Sequence, residues 1–293
     1  LNELRVKEWL AVCATIGITF LAPQVGRFDN HLTLAYLNCF PMTWYFMIKY
    51  FISKDKKKWT SLLLLNNIGW FFIHSYLGLI AALFSGAFWL VYLIKNKNWK
   101  ILKNYLHFFI QVFIPLIGFM AFVKMTDIHV DRTENPLGFL LYNAEPDDIF
   151  IPHHAPLRPI LDYFFDIHLK WEAWSYVGIL TTLILLFLFF HFGKKAIEQK
   201  SIYPKLDWLQ NEHLKIAFPA SLLCLIFAFG YPFKAFPILL EWIPLVKNFR
   251  TTGRIGWIFY FVSTISVTFV LHEHLEQLKE KRKNIIIFLG ISA

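Results

Sequence analysis

Charge and cysteine are both scarce in this chain. Only 17% of its 293 residues are charged, against roughly 25% in an ordinary soluble domain. The three cysteines, Cys13, Cys39 and Cys224, fall inside apolar segments with no C-x-x-C spacing. They read as small buried hydrophobes and carry no redox information. There is no Gly-rich phosphate loop and no G-x-S-x-G elbow, so two common phosphate and acyl-transfer motifs are missing. The alternating segments of about ten residues that mark an outer-membrane barrel are missing too. A net charge of +9 could suggest nucleic acid. Most lysines, however, sit in short loops between apolar runs and no nucleic-acid-binding motif accompanies them, so nucleic acid is not expected as a partner.

Apolar and aromatic side chains are what the sequence has in excess. Hydrophobic residues make up 57% and aromatics 19%, with 32 phenylalanines, and the mean hydropathy is +0.47. These values predict an all-α, polytopic membrane protein. The chain opens on Leu1 rather than Met and ends in "IIIFLGISA". An internal piece of a longer membrane protein is the expectation.

Apolar segments lie near 8–22, 32–52, 60–73, 76–94, 101–123, 172–192, 214–230, 254–271 and 284–293, several of them within the ~17–25 residues that a crossing helix needs. The stretch 59–94 is too long for one pass and has lysine clusters at both ends. It reads as two short segments meeting near "NNIGWFFIHSYLG", with Asn66, Asn67 and His74 at the apex. Alternating the sides puts 20 Lys and Arg inside and 9 outside, as the positive-inside rule requires. The expected location is the cytoplasmic membrane, with the loops 124–171 and 231–254 on the outer side.

The kind of cation differs between the sides. Five of seven arginines fall outside, but only four of 22 lysines. Lysine satisfies topology, whereas the planar guanidinium fork suits phosphate and carboxylate. Larger outer loops holding more polar residues of every kind would give the same bias. The 124–171 loop is too long and too rich in aromatics for an idle linker. Its apolar clusters, such as "ILDYFF", would lie on the membrane surface or against neighbouring loops. Its polar centre, "EPDDIFIPHHAPLR", supplies Asp147, Asp148, His153, His154 and Arg158 as candidate substrate contacts. Carboxylates with imidazoles can bind a divalent ion, but adjacent histidines in an extended chain point apart, which disfavours a His153/His154 chelate. His74, at the hairpin apex, would face protein or a cavity.

The segment "GYPFKAFPILLEWIPLVKNFRTTGRIGWIFYF", followed into the bilayer, resembles the GT-C superfamily of integral-membrane glycosyltransferases, and its YfhO-like bacterial branch in particular. Phe249, Arg250 and Arg254 match that branch's fR-x-x-x-R pattern. "NAEPDDIFIP…WEAWSYVGIL" resembles its outer loop, with Asp147, Asp148, Pro152, Tyr176 and Gly178 at the matching positions. The resemblance spans roughly residues 130–270. It implies a GT-C-like bundle, membrane lipid as surroundings, and sugar transfer from a polyprenyl-phosphate-linked donor at the outer face. A divalent metal is an open cofactor. Arg250 and Arg254 would grip the donor phosphate, on one face if a helix has begun there; snorkelling to ordinary headgroups is the alternative. The family's catalytic carboxylate lies in the first outer loop. Asp29 is the first outer carboxylate present and stands as the candidate, although the true base could lie upstream. A lipid-linked-sugar flippase or a non-catalytic envelope-assembly protein are the competing functions. A transporter should show inverted repeats and charges at mid-depth, and neither is visible.

Overall fold

Lysine-rich loops and arginine-rich loops end up at opposite ends of a helical bundle. The computed structural model describes residues 1–29, 31–97, 100–128, 138, 141–153, 156–165, 167, 170–200, 211–243, 246 and 250–291, without the side chains of Asn2 and 280–291. The helices are α1 Glu8–Leu21, α2 Cys39–Ile52, α3 Lys56–Ile73, α4 Ser75–Asn96, α5 Leu102–Phe108, α6 Ile114–Thr126, α7 Pro146–Phe150, α8 Leu157–Phe164, α9 Ile179–Glu198, α10 Leu214–Ala228, α11 Leu239–Trp242 and α12 Gly256–Ile291. No strand occurs among the described residues.

Among the described residues, five segments are long and apolar enough to cross a membrane: Glu8–Arg27, Ser75–Asn96, Leu102–Thr126, Ile179–Glu198 and Thr252–Lys279. The protein is therefore a multi-pass, all-α membrane protein in contact with lipid. Of these spans, Thr252–Lys279 is 83% buried and Ile179–Glu198 only 11%. That contrast makes α12 the central post and α9 a lipid-facing outer helix. Around α12 pack α10, α1 and α9, and α4 packs on the far side of α10 and on α3, with Trp89, Trp257, Tyr260, Phe84 and Phe88 fully enclosed.

The two ends are distinguished by their ion pairs. At the lysine end, Lys7 pairs with Glu276 at 2.7 Å, Lys49 with Glu3 at 2.6 Å and Lys95 with Glu212 at 2.5 Å. At the arginine end lie Arg27, Glu172 and Arg254.

The 59–94 stretch folds as the expected hairpin, broken at His74. Asp55 starts α3 by accepting from the Lys58 amide at 3.0 Å, and His74 caps α4. Asn66 and Asn67 are not at the apex, however. They lie inside α3, buried against neighbouring helices. Asn66 donates to the Thr43 hydroxyl at 2.9 Å and accepts from the Trp70 indole at 3.1 Å. Asn67 donates to the Gln111 carbonyl at 2.8 Å. That carbonyl belongs to a π-helical turn, Phe109–Phe113, between α5 and α6. The Gln111 side chain accepts from Trp89 at 2.7 Å and donates to Thr60 at 3.2 Å. Polar groups inside a bilayer must find protein partners, and these do.

The apolar run 172–192 opens on a turn ahead of its helix. Residues 171–173 form a single 3-10 turn, and α9 begins only after Gly178, whose φ of 87° suits glycine. The apolar runs 254–271 and 284–293 are joined in one unbroken helix to Ile291.

Candidate functional site

Three segments distant in sequence meet at the arginine end. Arg27 follows α1 in a short 3-10 turn, Val25–Arg27, and is 1% exposed. Glu172 sits in the 3-10 turn Trp171–Ala173, and Arg254 in another, Thr252–Ile255, just ahead of α12. Glu172 Oε2 accepts from Arg254 Nε at 2.9 Å and from Arg254 Nη2. Arg27 Nη2 donates to the Trp171 carbonyl at 2.7 Å. Its guanidinium lies 4.0 Å from the Trp171 ring centroid and 5.8 Å from that of Trp257. Arg27 Nη1 stands 3.7 Å from Glu172 Oε2, too far for a hydrogen bond, and has no hydrogen-bond partner among the described residues. Two guanidiniums thus face one carboxylate, and one buried N–H edge is unused.

Aromatic and imidazole groups wall this cluster. The Arg254 guanidinium lies 5.3 Å from the Tyr76 ring centroid, and the Tyr76 hydroxyl donates to the Thr251 carbonyl. His31 packs its ring 5.8 Å from Trp171. His74 Nδ1 accepts from the Tyr76 amide at 3.2 Å, so in the neutral ring the proton sits on Nε2. Burial, then Arg254 and His31, holds the His74 imidazole below its ordinary value of 6.5. The site therefore combines one anion with two cations.

The tight seat of this cluster depends on Gly253. A Cβ there would stand 2.5 Å from Ala173 Cβ and 2.8 Å from Ala173 Cα. Only a glycine lets the Arg254 turn press on the Glu172 turn. The Gly253 amide also donates to the Tyr142 carbonyl at 2.9 Å, tying the long loop to the same place.

The other expected site residues fall elsewhere or have partners. Asp29 is exposed, two residues beyond Arg27. Arg250 is exposed and precedes the 3-10 turn; α12 begins only at Gly256. The one-face i, i+4 argument for Arg250 and Arg254 therefore does not apply. Asp148 is fully buried: its carboxylate accepts from the Glu145 and Lys170 amides, both at 2.9 Å. Burial pushes its carboxyl up, and the two amides partly offset this. Asp147 is half-buried in α7 beside it. His153 donates from Nε2 to the Asp148 carbonyl at 3.2 Å and stacks 4.8 Å from the Trp174 ring. Arg158 donates to Asp162 and to the Ile167 carbonyl, each at 2.7 Å. His154 lies outside the described residues. Asp148, His153 and Arg158 thus brace the loop. Among the described residues, no group of three or more His, Cys, Asp or Glu side chains could hold a metal ion.

Arg254 and His74 are the expected residues that the structure brings together. Glu172, Trp171, Tyr76 and His31 join them without having been singled out from sequence. A lone carboxylate between two tryptophans, "WEAW", was the available signal. Comparison with known proteins adds one match: the model of a domain of unknown function, DUF6311, covers residues 1–292. The chain belongs to the DUF6311 family. No curated protein and no solved structure matches it.

For this DUF6311 protein, His74 gives a pH-dependent expectation. Its folded pKa lies below its unfolded value, so its contribution to stability is complete above pH 6.5. That contribution is lost as pH falls toward the folded pKa. His74→Asn keeps an acceptor for the Tyr76 amide and removes the titration. Thermal midpoints in detergent should fall more steeply from pH 7 to pH 5 in the wild type than in the variant. Parallel curves would show that His74 does not titrate against the cluster.

Proposed function

We propose that this protein binds the phosphate of a lipid-linked sugar at its arginine end and transfers the sugar, as a GT-C-like glycosyltransferase does, with that end facing outward from the cytoplasmic membrane. The observation supporting this is the 2:1 ratio of buried guanidiniums to carboxylate, with an unpartnered Arg27 Nη1. An anion with several acceptor oxygens complements such a donor-rich site. As a phosphate–sugar bond breaks, charge develops on phosphate, and preformed cations stabilise it. Asp29 lies at the same end of the chain fold, two residues from Arg27, and is the candidate base for the acceptor.

A second reading has its own support. Glu172 already occupies both Nε and Nη2 of Arg254. The cluster would then be a clamp that fastens the outer loop to α12, in a non-catalytic envelope protein.

The two readings separate on Arg254→Lys and Arg250→Lys. Full-length protein in proteoliposomes would be given a radiolabelled polyprenyl-phosphate sugar, at equal protein abundance. A charge-assisted hydrogen bond contributes roughly 1.5–3 kcal/mol, so phosphate binding predicts about a tenfold or greater loss of transfer for Arg254→Lys. Arg250→Lys serves as the exposed comparison. Absence of transfer by the wild type, or unchanged transfer by Arg254→Lys, would leave the clamp as the function of the cluster.

A further inference from the structure

Two short helices in the arginine-end loops have bare apolar faces. α8 carries Ile160, Phe164 and Tyr163 on one side, with Tyr163 85% exposed, while Arg158 and Asp162 pair on the other. α11 packs Leu239 and Leu240 onto the bundle core but leaves Trp242 73% exposed, followed by the exposed Ile243. In water such faces would be a liability.

The depth of these loops follows from α10. At the lysine end, Glu212 is ion-paired with Lys95 and Lys215 and belongs outside the hydrocarbon. From residue 212 to the end of α10 at 228 is ~24 Å at ~1.5 Å per residue, less than the ~30 Å hydrocarbon core. Ala228 therefore ends at or just short of the opposite boundary. Its carbonyl accepts from the Ala144 amide at 2.9 Å and from the Thr252 hydroxyl at 3.3 Å. The loop that leads into α7 and α8, and the turn that holds Arg254, are thus pinned at that boundary. α11 follows the same helix end after the turn-rich stretch 229–238, with one face on the core.

We propose that α8 and α11 lie in the plane of the membrane, with Ile160, Tyr163, Phe164, Trp242 and Ile243 inserted at the acyl–headgroup boundary of the lipid leaflet at the arginine end. Amphipathic helices and Tyr/Trp side chains suit that zone, where one side of the residue is apolar and the other wet. The partner is the bilayer itself, and the inference is independent of sugar transfer.

Site-directed spin labelling tests this on the whole chain in lipid nanodiscs, with Cys13→Ser removing the exposed native thiol. Labels at Ile160→Cys, Phe164→Cys and Trp242→Cys would be compared with Asp162→Cys and Glu241→Cys, using oxygen as the lipid-soluble relaxant and a nickel chelate as the aqueous one. The first three should show a several-fold higher oxygen-to-nickel accessibility ratio than the last two. Equal ratios at all five would place the helices in water. Exclusion of both relaxants at Phe164 and Trp242 would mean that protein covers these faces. Either result overturns the proposal.

Discussion

Glu172→Gln should be among the most destabilising single substitutions in the protein, lowering stability by about 3–5 kcal/mol. The carboxylate is the shared counter-charge of Arg27 and Arg254, whose side chains are 2% and 10% exposed. Removing it leaves two guanidiniums facing each other where water cannot screen them. The same variant tests the anion site. If phosphate belongs there, a lipid bearing a phosphomonoester should restore part of the lost thermal stability in nanodiscs, by supplying the missing negative charge. A neutral phosphatidylcholine-only disc should not. Loss of stability without any such recovery would identify the cluster as a clamp. No loss at all would mean that the pairing contributes nothing.

Gly253→Ala is expected to come next, at about 1–3 kcal/mol. The added methyl would meet both Cβ and Cα of Ala173 inside van der Waals contact, so the two turns must separate. Their separation lengthens the Arg254–Glu172 hydrogen bonds. Ala173→Gly should recover part of the loss, because it removes the Cβ contact but leaves the backbone one. Urea or thermal titration of the single and double variants checks this; an unchanged midpoint for Gly253→Ala would show that the turns move apart at no cost.

Much of the architecture was legible because a bilayer imposes length and hydrophobicity on each crossing segment. α4, α6, α9, α10 and α12 all fall within or across apolar runs visible in the sequence. The hairpin break at His74 was legible from the lysine clusters at both ends. Asn66 and Asn67 misled because "NNIG" reads locally as a turn, yet Thr43, Trp70 and Gln111 satisfy their amides inside a helix. That satisfaction is a tertiary fact with no local signal. The site shows the same division. Arg254 and His74 announce themselves as polar groups at the edge of apolar runs. Glu172 meets Arg254 across 82 residues and Arg27 across 145, and no spacing rule spans such distances. The Arg250–Arg254 spacing looked helical, but a 3-10 turn occupies 252–255 and delays α12.

The π-helical turn at Phe109–Phe113 fixes the phase between the two halves of one crossing helix. It accommodates a surplus residue relative to α-helical winding, and each residue corresponds to about 100° of rotation. Leu102–Phe108 and Ile114–Thr126 are therefore clocked against each other by that surplus. His107 and Gln111 are turned to the interior, while Phe122 and Met125 are exposed on the second half. Were the surplus residue lost from the coding sequence, the two halves would stay equally apolar and equally able to cross. Hydropathy would register no change, but one half would present its interior face to lipid. In this helix, insertions and deletions count for more than substitutions.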